Sequence, residues 1–235
     1  PEPVIRDTLL ASAGKMKIIL ETEESGKTIR YTRDGSRVTS DSPSYRTPLF
    51  LTSPTTVEAG LFSGDTLLTF SRRRYTIHKG FGAAVTYAND YSAAYSGGGE
   101  AALVDGRMAG PDYSAEEWQG FLWQHLEAVV DLGGLKEVEA VSMRCLQDIR
   151  AWIFMPVRVS YEFSSDGIEY TEAVVVDNPI AARTDEAVIH AFTAAAEQKK
   201  VRYVRVRAIN RRVCPDWHRG AGGSAWIFVD EIIVR

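Results

Sequence analysis

Glu231 is the residue in this chain whose surroundings most demand chemistry. It stands in the apolar run SAWIFVDEIIV at 224–234, which reads as a strand with successive side chains on opposite faces. On that pattern Ile227, Val229, Glu231 and Ile233 share one face, and Trp226, Phe228, Asp230, Ile232 and Val234 share the other. Both faces are apolar enough to be buried, and a buried carboxylate must be paired, protonated or bound to a cation. Upstream, Leu-Val-Asp-Gly at 103–106 offers a partner by placing Asp105 on a tight glycine turn. Carboxylates and loop carbonyls brought together from distant parts of a chain are what a hard cation such as calcium uses. The Asp230-Glu231 pair also invites comparison with the two carboxylates of a glycosidase. Neighbours on a strand face opposite ways, however, and cannot flank one glycosidic bond.

Sugar binding would need other residues: aromatic faces for pyranose rings, with Arg, Asn, His or Asp beside them to bond hydroxyls. Trp152, with Arg150 two residues before it, lies in the polar stretch DIRAW at 148–152. Asp216, Trp217 and His218 lie in CPDWHRG at 214–220. Polar loops on a rigid scaffold are where binding residues concentrate. Trp226 reads as core and Trp118 as a loop anchor. His218 beside Asp216 lacks the third partner of a catalytic or metal set, and the scatter of His78, His125 and His190 argues against zinc. Gly97-Gly98-Gly99 precedes neither a helical pattern nor a lysine, so it is no phosphate loop. No Ser-His-Asp or Cys-His frame is recognisable. The chain reads as non-catalytic.

These residues must be positioned by strands. Residues 1–14, with two prolines and no period, read as a linker. An all-β pattern begins at Lys15, with strands expected over 16–21, 28–33, 55–61 and 67–77 and turn signals at Glu23–Gly26 and Asp34-Gly35-Ser36. That makes a small sandwich of seven strands or fewer. Gly80-Phe81-Gly82 marks a boundary. Strands are then expected over 126–132, 138–146, 157–164, 172–176, 201–209 and 226–234, separated by long loops. Residues 185–199 have helical composition and read either as a short helix or as a polar connection between strands. Regular short strands with turn signals imply a sandwich or jelly roll.

Composition excludes several classes. The 45% hydrophobic and 25% charged fractions are those of an ordinary folded protein, and the net charge of −4 gives no footprint for nucleic acid. The basic runs Arg72-Arg73-Arg74 and Arg211-Arg212 are short enough to be solvated strand ends. No apolar run has transmembrane length, and no signal peptide is present. Because the chain begins at Pro1, it reads as a fragment whose targeting signal lies elsewhere. Cys145 and Cys214 could form one bridge or remain two buried thiols.

Two segments carry a resemblance. TIRYTRDGSRVTSDSPSY at 28–45 resembles the signature of the chitobiase/β-hexosaminidase C-terminal domain, a small immunoglobulin-like module. It departs from that signature at Arg33 and Arg37-Val38. ALVDG at 102–106, WQGF at 118–121, VDLG at 130–133, YEFSSDG at 161–167, YVRV at 203–206 and VDEI at 229–232 resemble a discoidin-type, coagulation factor C-type domain. The order is similar to the carboxyl-terminal region of bacterial family-twenty β-N-acetylhexosaminidases, without their catalytic barrel. The resemblance implies an immunoglobulin-like sandwich over 15–79 and a discoidin-like, galactose-binding-like jelly roll over 80–235. It also implies a structural calcium site using the carbonyl of Ala102, the side chain of Asp105, the backbone of Arg107, the carbonyl of Asp230 and the carboxylate of Glu231. Arg107 stands where Asn or Asp is usual, so an ion pair between Arg107 and Glu231 is the alternative to the metal.

The function this implies is that of a non-catalytic accessory region of an extracellular, periplasmic or outer-membrane-associated hexosaminidase. Its partners would be an N-acetylhexosamine-containing glycan, held by Arg150, Trp152, Asp216, Trp217 and His218, and the catalytic domain of the same parent chain. Two other roles remain open: structural support or dimerisation of that enzyme, and adhesion to a protein or membrane.

Overall fold

A computed structural model describes residues 1–196 and 200–235. The chain is all-β and divides into two compact units, Pro1–His78 and Lys79–Arg235. Among the described residues no helix is long and apolar enough to cross a membrane.

The first unit holds β1 (Val4–Leu10), β2 (Lys15–Glu21), β3 (Thr28–Thr32), β4 (Leu49–Leu51), β5 (Thr55–Ser63) and β6 (Thr66–Tyr75). One sheet runs β1-β2-β4, and β3 and β6 flank β5 in the other, with every pair antiparallel. The expected linker over 1–14 is thus corrected. Val4–Leu10 pairs with β2 along its whole length, and the hairpin closes through a 3-10 turn and Gly14 at φ 59°. Only Ile5 of this edge strand is fully buried, which hid its period. Its Asp7 carboxylate points inward and accepts hydrogen bonds from Arg73 Nη1 and the Tyr75 hydroxyl, each at 3.0 Å. Val38, one of the departures from the signature, is core. Its N–H donates to the buried Glu58 at 2.9 Å, while Arg37 stacks on Phe70 at 3.8 Å.

The second unit holds β7 (Ala84–Tyr87), β8 (Arg107–Met108), β9 (Gln119–Leu122), β10 (Leu126–Glu137), β11 (Ala140–Gln147), β12 (Arg158–Ser164), β13 (Val174–Asp177), β14 (Val188–Ala195), β15 (Lys200–Ala208) and β16 (Trp226–Val234). A five-stranded sheet, β13-β12-β15-β10-β7, faces a four-stranded sheet, β14-β11-β16-β9. Their inner faces meet in one apolar core that includes Val130, Met143, Tyr161, Phe192, Val206, Ile227 and Ile232.

Two expectations change here. The helical composition of 185–199 gives way to β14, because all eight of its residues pair with β11 and Phe192 and Ala194 enter the core. Tertiary pairing outweighs local propensity there. The remaining residues of that stretch, 197–199, lie outside the described residues. In β16 the strict alternation breaks. Arg144 pairs with Glu231 while the next residue, Cys145, pairs with Val229, so Asp230 is an extra, bulged residue. Ile227 and Val229 therefore share the main core with Ile232 and Val234. The two cysteines are free and buried, Cys145 in the main core and Cys214 in a satellite with Ile149, Phe154 and Ala225.

Candidate carbohydrate site

The bulge decides what the two carboxylates do. With alternation reset at Asp230, both side chains reach the same loop rather than opposite faces. Ala109 N–H donates to Asp230 Oδ2 at 2.9 Å, and Gly106 N–H lies 3.1 Å from both Glu231 oxygens. The expectation that they diverge is therefore wrong. Both are fully buried, which keeps them from any substrate. Arg144 reaches Asp230 Oδ2 at 2.5 Å and the Ala109 carbonyl at 3.2 Å, clamping the loop to the sheet. Burial pushes Asp230 up to about 7 against the pull of Arg144 and the Ala109 N–H. Glu231 is held well above the usual carboxylate range by burial first, then by the charges of Asp105 and Asp230.

Around this pair the expected metal ligands are gathered. Ala102 begins a buried 3-10 turn, Asp105 follows it, and Asp105 Oδ1 accepts the Arg107 N–H at 2.8 Å. The Arg107 guanidinium lies 3.8 Å from Asp105 Oδ2. An all-oxygen set with two mutually repelling carboxylates, one of them fully buried, suits a hard cation by its donor chemistry. No three His, Cys, Asp or Glu side chains converge as metal ligands among the described residues, so main-chain oxygens would have to complete the shell.

The aromatic loops form a different place. Asp148 caps the 3-10 turn Ile149–Ala151 by accepting the Arg150 N–H at 3.1 Å, and it also accepts Arg150 Nε at 3.2 Å. His218 ties this turn to the β15–β16 connection. Its Nδ1 accepts the Gly220 N–H at 3.1 Å, so Nε2 carries the proton and donates to the Ile149 carbonyl at 2.6 Å. Both ring nitrogens are engaged, and the residue acts as a brace. Arg219 donates to the Arg150 carbonyl across the same junction.

The result is a cleft of about 430 Å³ lined by Ile149, Arg150, Arg183, Asp185, Trp217, His218 and Arg219. Trp217 stands at the wall, 37% exposed, with the Arg183 guanidinium stacked 4.7 Å over its ring. Of the five residues expected to hold glycan, the cleft gathers Arg150, Trp217 and His218. Trp152 and Asp216 do not line it. The Trp152 ring lies against Gly220 and Gly223, so close that a Cβ on either would fall 2.5 and 2.6 Å from ring carbons. Its backbone is left-handed at φ 65°, and its carbonyl accepts the Trp226 N–H. Trp152 is thus a packing anchor of the loop junction. Trp118 and Trp226 pack in or against a smaller apolar cluster with Phe228.

Sequence reasoning missed Arg183 and Asp185, which come from the connection before β14. The one available signal was a charged residue at each end of Arg183-Thr184-Asp185, and the alternative helical reading of 185–199 began on the second of them. It also missed a shared feature of the loops. Trp123, Trp152 and Arg212 have positive φ without being glycine, and each hydrogen-bonds through its backbone to Ala225 or Trp226. Such conformations are costly for bulky side chains and persist where surrounding structure holds them.

Comparison with known proteins bears on both units. Residues 11–67 match the family model described as the chitobiase/beta-hexosaminidase C-terminal domain. No curated protein matches the chain. A solved lectin domain of lectinolysin, complexed with Lewis B antigen, is 14% identical, covers 67% of this chain and 95% of its own, and gives a TM-score of 0.42. A fucose-binding module of Streptococcus pneumoniae is 11% identical, with coverage of 67% and 96% and a TM-score of 0.42. A module produced by Clostridium perfringens, in complex with GlcNAc-α-1,4-galactose, is 11% identical, with coverage of 67% and 92% and a TM-score of 0.39. Over residues 11–67 the chain is therefore similar to the C-terminal domain of chitobiases and β-hexosaminidases.

Proposed function

We propose that this chain is a non-catalytic, carbohydrate-binding accessory region of a β-N-acetylhexosaminidase acting outside the cytoplasm, and that its glycan site is the Trp217 cleft. The observation that carries the reading is the cleft itself. Arg150, Arg183, Asp185 and Trp217 meet there from three loops, braced by His218, in a volume of about 430 Å³. That size suits one or two sugar rings, and the mix of aromatic surface with a few placed polar groups is what a small-ligand site needs. The match of residues 11–67 supports a hexosaminidase parent. Tethering a sugar site to a catalytic domain raises the local substrate concentration without new chemistry.

Calorimetric titration with N-acetylglucosamine, N-acetylgalactosamine and galactose tests this. Saturable binding of at least one sugar, lost in Trp217→Ala, supports the reading. Silence for all three, and for neutral and acidic oligosaccharides that contain them, in the intact chain sinks it.

Calcium is the cofactor this reading includes, held by Asp105 and Glu231 with the carbonyls of Ala102, Arg107 and Asp230. It would supply charge neutralisation of a buried acidic pair, a structural role. Melting in calcium against chelator tests it: a lower melting temperature in chelator is expected, and identical curves would remove the metal from the account.

A further inference from the structure

We propose that the Trp217 cleft takes an acidic glycan, a chain carrying uronate carboxylates beside its N-acetylhexosamines; this rests on the cleft being the glycan site. The charge is the first observation. Arg150, Arg183 and Arg219 bring three guanidinium groups to the cleft against Asp185 in its lining and Asp148, which pairs with Arg150, leaving an excess of positive charge. This local positive excess sits on a chain of net charge −4, so it is not a reflection of overall composition.

Donor bookkeeping is the second. A guanidinium carries five N–H donors and accepts nothing, whereas a neutral pyranose hydroxyl both donates and accepts. Arg150 uses Nε on Asp148, which holds its side chain in place, and among the described residues its two terminal nitrogens are unengaged. Arg219 uses one terminal nitrogen on the Arg150 carbonyl. No hydrogen bond or salt bridge engages the Arg183 side chain among the described residues. Three donor-only groups with spare N–H bonds and one acceptor match a ligand rich in acceptors, and a carboxylate is acceptor-only.

The third observation is where Arg183 lies. Its guanidinium covers a face of Trp217 at 4.7 Å, the surface on which a neutral sugar would stack. With its carbon seated over the ring and no carboxylate or carbonyl bonded to it among the described residues, this guanidinium keeps its N–H donors for a ligand, and an arginine fork meets a carboxylate through two parallel hydrogen bonds. Trp217 then serves as the platform for an arginine rather than for the sugar.

Calorimetry on the whole chain separates the possibilities with two probes of equal length. One is a tetrasaccharide of alternating glucuronate and N-acetylglucosamine; the other is the tetramer of N-acetylglucosamine alone. The acidic probe is expected to bind about tenfold more tightly at about 0.05 M salt, and to lose most of that advantage at about 0.5 M. Arg183→Ala is expected to remove about tenfold from the acidic probe with little effect on the neutral one, and Arg183→Lys to recover only part of it. Arg183 is exposed, and an unchanged melting temperature checks that each variant is folded. Equal or tighter binding of the neutral tetramer, indifferent to salt, overturns the inference and leaves the glycan site standing. Binding of neither probe overturns both.

Discussion

Replacing Arg144 with methionine is expected to destabilise the second unit strongly at pH 8 and weakly at pH 5. Asp230 is fully buried, and apart from the Ala109 N–H its Oδ2 depends on Arg144, while its Oδ1 has no hydrogen-bond partner among the described residues. Its pKa is pushed from 3.8 to about 7 by burial. Between those values the folded chain holds a proton that the unfolded chain releases. Asp230's contribution to stability is therefore complete below about pH 4 and falls as pH rises through about 7, a difference on the order of 4 kcal/mol. Above that range the carboxylate is ionised and Arg144 is its counter-charge. Removing the arginine then leaves a buried charge unpaired, a loss of about 3–5 kcal/mol. At pH 5 Asp230 is protonated with or without Arg144. The loss shrinks to the hydrogen bonds, about 1 kcal/mol. All five tryptophans lie in 79–235, so fluorescence during urea unfolding follows this unit alone. A loss of equal size at both pH values, or a larger one at pH 5, would refute the assignment of Asp230 as the group whose charge Arg144 balances.

Three further outcomes are expected. Gly220→Ala places a methyl group 2.5 Å from the Trp152 ring, and the ring has to shift; a loss of about 1–3 kcal/mol is expected in the same urea assay, and a neutral effect would contradict Trp152 as a packing anchor. His218→Ala frees the Ile149 carbonyl and the Gly220 N–H together, so melting falls and sugar affinity falls with it; retained affinity would show that the brace does not shape the cleft. Tyr161→Phe strips the buried hydroxyl that donates to the Phe192 carbonyl at 2.5 Å, costing about 1 kcal/mol by urea unfolding, and no loss would mean that carbonyl finds another donor.

Much of the architecture is readable from residue pattern because most strands carry alternation or an unbroken apolar run. The closing strand is an example: its apolar run over 226–234 coincides with β16. What was hidden was geometry that leaves no mark on composition. The bulge at Asp230 adds one residue to an otherwise regular run, and it sends both carboxylates to one loop instead of to opposite faces. Strand β1 was hidden because Asp7 carries its inward role through Arg73 and Tyr75 rather than through hydrophobicity. Strand β14 was masked by alanines whose propensity favours helix but whose neighbours on β11 supply a full ladder. The candidate site was partly legible, since the Trp217 loop is conspicuous by its aromatic and charged residues. Arg183 was not, because it approaches from a connection that has no motif of its own.

The central claim is that carbohydrate binds at Trp217, and the most direct measurement of it is an NMR titration of the indole N–H resonances with N-acetylglucosamine oligomers, neutral or uronate-bearing. The account predicts a saturable shift of the Trp217 indole while Trp118, buried in the smaller apolar cluster, and Trp226, packed against it, stay in place. A shift confined to another tryptophan, or none at saturating sugar, would contradict it.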